Sequence, residues 1–93
     1  MIKNFSSKET EKLFFRHRSS AVPADLQKVA IRKLLLLDAA ERVDDLRFPP
    51  GNRLEKLSGN RQGQYSIRIN EQWRICFRWS GSDAYDIEIV DYH

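Results

Sequence analysis

From Tyr65 onward, apolar side chains fall on every second position. Tyr65, Ile67 and Ile69 alternate with Ser66 and Arg68; Trp73, Ile75, Phe77 and Trp79 alternate with Arg74, Cys76 and Arg78; Tyr85, Ile87 and Ile89 alternate with Asp86 and Glu88. Successive side chains of a strand point to opposite faces, so a period of two predicts three strands, each apolar on one side. Asn70-Glu71-Gln72 and Ser80-Gly81-Ser82 are short enough to join them as antiparallel hairpins. Leu54 to Leu57 predicts a further short strand before a turn at Asn60-Arg61-Gln62-Gly63.

The first half has a different rhythm. Ile2-Lys3-Asn4-Phe5 alternates briefly and predicts an opening strand. Ser6 and Glu9 have the spacing of a capping box, which would start a helix running to about Arg16 with Leu13 and Phe14 inward. Pro23 stands where a second helix would begin, and Leu26, Val29, Ala30, Leu34 and Leu37 recur at three- and four-residue steps, the mark of one buried helical face. That helix should end between Ala40 and Val43, with Lys28, Arg32 and Lys33 on its solvated side. The prolines and glycine of "RFPPGN" break the pattern, and the stretch from about Glu41 to Arg53 is expected to be poorly ordered.

These elements predict an α+β fold in one domain spanning 1–93, with the N-terminal strand and two helices packed on one face of an antiparallel sheet. The other face is left open and carries Arg68, Arg74, Arg78, Asp86 and Glu88. Keeping like faces together across the last hairpin requires paired residue numbers with an even sum, so Trp79 faces Asp83 or Tyr85. The first register sets Arg74 against Glu88, the second Arg78 against Asp86. Either leaves Arg68 and one further arginine uncommitted, a cradle for a single-stranded nucleic-acid backbone.

Composition narrows the chemistry. At 93 residues there is room for one core. No apolar run approaches the ~20 residues of a membrane span, and "MIKNFSSKE" lacks the apolar segment of a secretory signal, so a cytoplasmic protein is expected. The single cysteine, Cys76, excludes an internal disulfide, and with two distant histidines it offers no metal-ligand spacing. The formal charge is only +3, but Arg53 to Arg78 holds six cations against two acids. That concentration suits a phosphate-bearing partner, although a solvated surface with cross-strand ion pairs would look the same. Asp91-Tyr92-His93 ends the sequence with three groups that hold or pass protons; the competing reading is a solvated chain end.

"GNRLEKLSGNRQGQYSIRINEQWRICFRW" followed by "DAYDIEIVDYH" resembles the HigB-type toxins of the RelE/ParE superfamily, the toxin halves of bacterial type II toxin–antitoxin operons. The resemblance runs nearly the whole length. It implies a RelE/microbial-ribonuclease-like fold and cleavage of mRNA in the decoding site of the 30S ribosomal subunit. It also implies a HigA-type helix-turn-helix antitoxin as partner. The family's functional terminal residues carry over to Asp91, Tyr92 and His93, and a phosphate-contacting arginine to Arg74 in "QWRI".

Such cleavage, with neither metal nor cofactor, lets the 2′-hydroxyl attack the adjacent phosphate, and needs a base, cations and an acid. His93 suits the proton transfers near neutrality, with a terminal carboxylate favouring its charged form. Arg68, Arg78, Arg61 and Lys56 are further candidates for RNA contact. The match fails in "RLEKLSG", where some members carry a histidine and a nearby lysine and this chain has Glu55 and Ser58. Glu55 is read either as a weak general base or as an ion-pair partner of Arg74 or Arg61. Two other functions stay open: a binding-only paralogue, and a ParE-like inhibitor of DNA gyrase, against which the "DYH" end speaks.

Overall fold

The computed structural model of the chain describes residues 1–92. Two helices, α1 (Lys8–Phe14) and α2 (Gln27–Ala39), pack on a four-stranded antiparallel sheet of β1 (Glu55–Lys56), β2 (Tyr65–Arg68), β3 (Trp73–Ser80) and β4 (Asp83–Asp91), in spatial order β1-β2-β3-β4. The α+β arrangement is as expected, with several local differences.

The opening segment pairs with β4, but through isolated parallel bridges, Ile2 to Ala84 and Phe5 to Ile87, rather than as a continuous strand. Lys3 N donates to Ala84 O at 2.8 Å and Ser6 N to Ile87 O at 3.0 Å, so the segment covers the outer edge of the sheet. The capping box does not form. Ser7 is the N-cap of α1, its Oγ accepting from Thr10 N, whereas Ser6 Oγ donates to the Asp86 carbonyl. Glu9 turns instead to the segment after the helix: Oε1 accepts from Ser20 N at 2.7 Å and Ser20 Oγ at 3.0 Å, and Oε2 from Lys12 Nζ at 3.0 Å. The Ser20 amide is the largest cause that holds this carboxyl down at about 2, followed by Lys12 and the Ser20 hydroxyl. Arg16, at φ 62°, ends the helical path just past Phe14.

Pro23 precedes a 3-10 turn, Ala24–Leu26, that leads directly into α2. Ala30, Leu34 and Leu37 are fully buried on its inner face, as the period demands. Lys33 is not on the solvated side: it is 8% exposed, and its Nζ donates to Asn52 Oδ1. Burial pushes its ammonium pKa down, with Arg32 a smaller cause. The stretch after α2 is built rather than loose. It forms 3-10 turns at Val43–Arg47 and Pro50–Asn52, buries Leu46, and seats Asn52, whose Nδ2 donates to the Leu46 and Phe48 carbonyls at 3.1 Å.

Leu13, Leu34, Leu37, Ile67, Ile75, Phe77 and Ile87 meet between helices and sheet, each at 2% exposure or less. Every such side chain contributes about 1.5–3 kcal/mol on burial.

The last hairpin departs most from expectation. Cys76 pairs with Glu88, Ile75 with Ile89 and Arg74 with Val90, an even-sum register; Arg78 pairs with Tyr85 and Trp79 with Ala84, an odd one. A β-bulge between Cys76 and Arg78 joins the two registers, with Asp86 at φ 53° inside it. Neither anticipated ion pair sits in direct register, since Arg74 faces Val90 and Arg78 faces Tyr85. The bulge also moves Tyr85 off the apolar face, where fully buried Ala84 takes its place.

Candidate active site on the open sheet face

Residues paired across strands share a face. Glu55 with Ser66, Ser66 with Cys76, and Cys76 with Glu88 form one row on the side away from the helices; Arg68 with Arg74 and Arg74 with Val90 form the next. The face is not bare at its centre. Ser66 and Cys76 are fully buried and Arg74 is 7% exposed, so the arginine expected on an open surface is a nearly enclosed one.

Arg74 is gripped by neutral acceptors. Its Nε donates to Ser66 Oγ at 2.8 Å and its Nη2 to the Arg53 carbonyl at 2.7 Å, while Glu55 Oε1 lies 3.9 Å from Nη2. Every fully buried side-chain nitrogen and oxygen among the described residues has a partner. Nη1 has none among the described residues and therefore reaches the surface. The guanidinium stands 5.8 Å from the centroid of the Tyr92 ring, within cation–π range. Arg68 lies directly opposite Arg74 on β2, tethered at 3.9 Å to exposed Glu71. Like charges placed opposite one another destabilise a sheet, so this pairing favours an anion over the face.

Arg61 borders the same cluster from the turn Gly59–Arg61. Its Nη1 donates to Glu88 Oε1 at 2.7 Å and to Gln64 Oε1 at 3.1 Å. The bond to Glu88 raises the Arg61 pKa further, with smaller contributions from Cys76 and Tyr92. Glu88 therefore belongs to Arg61, not Arg74, and Glu55 to Arg74, not Arg61. Arg78 reaches Asp86 at 3.4 Å. All four arginines have a carboxylate within 4 Å, which corrects the expectation of two uncommitted ones. Burial pushes the Cys76 thiol up, consistent with a small packed residue.

The structure thus brings Glu55, Arg61, Arg68, Arg74 and Tyr92 together, with Arg78 further along the same face. Two residues of the anticipated set point elsewhere. Lys56 pairs with Tyr65 and Asp91 with Trp73, so strand alternation puts both on the helix side of the sheet. Asp91 Oδ2 accepts from Gln72 Nε2 at 3.0 Å, and the Gln72 carbonyl accepts from Tyr92 N. His93 lies outside the described residues. Ser66 and the Arg53 carbonyl were not anticipated; alternation with Arg68 marks Ser66 as a face residue, but a backbone acceptor leaves no signal in sequence.

A family model described as the RelE-like toxin of type II toxin–antitoxin system HigB matches residues 3–93. The chain belongs to this family. A Proteus vulgaris protein named Endoribonuclease HigB is 36% identical over 94 residues that cover all of both chains. Toxin HigB-1 of Vibrio cholerae is 50% identical over 64 residues, 69% of this chain and 65% of that protein, so the match covers just under two thirds of that relative. Among solved structures, a chain from the heterotetrameric YoeB–YefM toxin–antitoxin complex of Staphylococcus aureus superposes with a TM-score of 0.58 at 18% identity, covering 100% of this chain and 98% of that one. That likeness concerns the fold, and it agrees with the RelE-like arrangement of two helices on an antiparallel sheet. Among the described residues no helix is long and apolar enough to cross a membrane.

Proposed function

We propose that this family member is a ribosome-dependent mRNA endoribonuclease of the cytoplasm, neutralised by a HigA-type antitoxin. One observation carries the reading: an almost buried arginine, fixed by Ser66 and a backbone carbonyl, opposite a second arginine and beside a carboxylate and a tyrosine. Pre-set donors aimed at a developing charge need no reorganisation during reaction, which is how a site stabilises a pentacoordinate phosphate. The name of the 36% identical relative supports the same activity.

In this reading the 2′-oxygen forms a bond to the adjacent phosphorus as its proton passes to Glu55, and Nη1 of Arg74 meets the non-bridging oxygens. The bond from phosphorus to the 5′-oxygen then breaks, and that oxygen takes a proton from His93 or Tyr92. The products are a 2′,3′-cyclic phosphate and a free 5′-hydroxyl. Glu55 is a half-exposed carboxylate and the arginines are largely committed to acids, so the chain alone grips and activates RNA weakly. Positioning of the message by the ribosome supplies the missing orientation.

Translation in a reconstituted system with primer-extension mapping tests this. Cuts in translated message, with free RNA left nearly untouched, are the expected result. Equal rates on free and translated message would remove the ribosome from the mechanism. Intact message with inhibited supercoiling would make the protein a gyrase inhibitor, and intact message with antitoxin binding alone a binding-only paralogue.

A further inference from the structure

Beyond the Arg74 cluster, the same face carries an open groove of about 670 Å³ whose walls include Lys3, Asn4, Gly63, Arg78, Tyr85 and Asp86. Tyr85 is there because of the bulge. Without it, Tyr85 would continue the Ile87–Ile89 alternation into the core; with it, Tyr85 stands opposite Arg78 in the ladder and lines the groove half-buried. The displacement is held in place deliberately by local bonds. Asp86 occupies the left-handed region at φ 53°, and Asn4 fixes it from both sides, donating Nδ2 to Asp86 Oδ1 at 2.8 Å and accepting from Asp86 N at 3.0 Å. A strained non-glycine residue persists only where its surroundings over-determine it.

The opposite wall is equally specific. Gly63 sits at φ 90°, a backbone conformation that favours glycine, and the movable end of Arg78 lies against it, with Nη1 2.9 Å from where a Cβ would stand. The groove thus offers an aromatic face, two cations (Arg78 and Lys3) and one carboxylate, Asp86, already engaged by Arg78 at 3.4 Å. Along β3, Arg78 is four residues from Arg74, about 13 Å at ~3.3 Å per residue. A strand of RNA whose scissile phosphate rests at Arg74 would carry a flanking nucleotide across it.

We propose that this groove is a nucleotide subsite, in which Tyr85 stacks on a base of the single-stranded message flanking the cut and Arg78 meets its phosphate. The proposal rests on the endoribonuclease reading and extends it from the reacting phosphate to substrate grip. Stacking on an aromatic side chain tolerates any base, so the subsite adds affinity more than codon choice.

Two readouts test it. The first is NMR of the full chain titrated with a 2′-O-methyl RNA oligonucleotide, which cannot be cut; dose-dependent shifts at Tyr85 and Gly63 are expected. The second is cleavage on the ribosome by the parent, Tyr85→Ala and Tyr85→Phe, each checked for a cooperative melt. Tyr85→Ala should raise the half-saturating message concentration about tenfold or more with little change in maximal rate, and Tyr85→Phe should behave as the parent. Parental saturation by Tyr85→Ala, or no shift at Tyr85 and Gly63, would overturn the subsite while leaving cleavage intact. If the parent cuts nothing, the activity reading fails by itself and the titration still decides the groove. Loss of antitoxin neutralisation alone in Tyr85→Ala, with RNA shifts unchanged, would make the groove a protein-binding surface and also overturn the proposal.

Discussion

Nη2 of Arg74 donates at 2.7 Å to the carbonyl oxygen of Arg53, a residue held in the left-handed region at φ 45°. The acceptor is backbone, and its direction is set by the turn Pro50–Asn52 before it. The best-fixed cation of the site therefore depends on a segment that makes no contact with the reacting groups itself.

Replacing Arg74 separates charge from geometry. Arg74→Lys keeps the charge but carries its donors on one nitrogen, which cannot reproduce the spread of the Nε bond to Ser66 Oγ, the Nη2 bond to the Arg53 carbonyl and an Nη1 turned to the phosphate. Cleavage should fall by about 10²–10³-fold in both Arg74→Lys and Arg74→Ala, the scale of losing one pre-set donor. Message cleavage beside a thermal melt checks this. Activity retained in folded Arg74→Lys would show that charge alone suffices.

Asn52 should matter to both fold and site. Asn52→Ala leaves the Leu46 and Phe48 carbonyls and the Lys33 ammonium without their partner, at a cost of about 1–3 kcal/mol. Because Arg53 follows directly, cleavage measured well below the melting point should fall several-fold as well. A lowered melt with parental cleavage would confine Asn52 to stability.

Much of this fold was legible because period is local. The steps of Leu26, Val29, Ala30, Leu34 and Leu37 and the alternation through β2 and β3 mark which faces are buried without reference to the rest of the chain. What was not legible depends on partners distant in sequence. Ser6 was unavailable as a cap because it bonds the Asp86 carbonyl, Glu9 because Ser20 claims it, and Lys33 is buried because Asn52 lies above it. The bulge is the sharpest case, since nothing in "DAYDIEI" announces an extra residue, yet it moves Tyr85 to the other face. Of the residues gathered on the face, Arg74 and Tyr92 stood out by resemblance and Glu55 by standing where the resemblance fails, whereas the Arg53 carbonyl has no residue type to recognise.

Acid should loosen the tie between α1 and the segment at Ser20. The Glu9 carboxyl is held at about 2, below its ordinary 4.5, so the folded state binds its proton less readily than the unfolded chain. Its contribution is therefore full above pH 4.5 and lost as pH falls toward 2. Asp45, also lowered, mainly by the Arg42 and Glu41 amides, acts in the same direction. Glu9→Gln should melt below the parent at pH 7, and the gap should narrow on going to pH 3. A gap independent of pH would mean that Glu9 acts through packing instead of charge.

The last prediction sets Asp91 against Tyr92. Neighbours on a strand point to opposite faces, and register pairs Asp91 with Trp73 on the helix side while Tyr92 covers Arg74. Asp91 also accepts from Gln72 Nε2, and the Gln72 carbonyl accepts from Tyr92 N, so the β2–β3 turn holds the end of β4 in line. On this geometry we expect Asp91 to act as a positioning residue and Tyr92 to be the one that touches substrate. Asp91→Asn keeps an oxygen for Gln72 and should cut within tenfold of the parent; Asp91→Ala should lose more, and Gln72→Ala should match it. Tyr92→Phe keeps the ring over Arg74 but removes the hydroxyl, and should lose about 10²-fold or more in maximal rate if that hydroxyl moves a proton. The comparison is single-turnover cleavage on the ribosome at saturating message, with each variant's melt recorded. Should folded Asp91→Asn be inactive while Tyr92→Phe is unimpaired, the carboxylate acts in the chemistry directly and the strand end must turn over to present it.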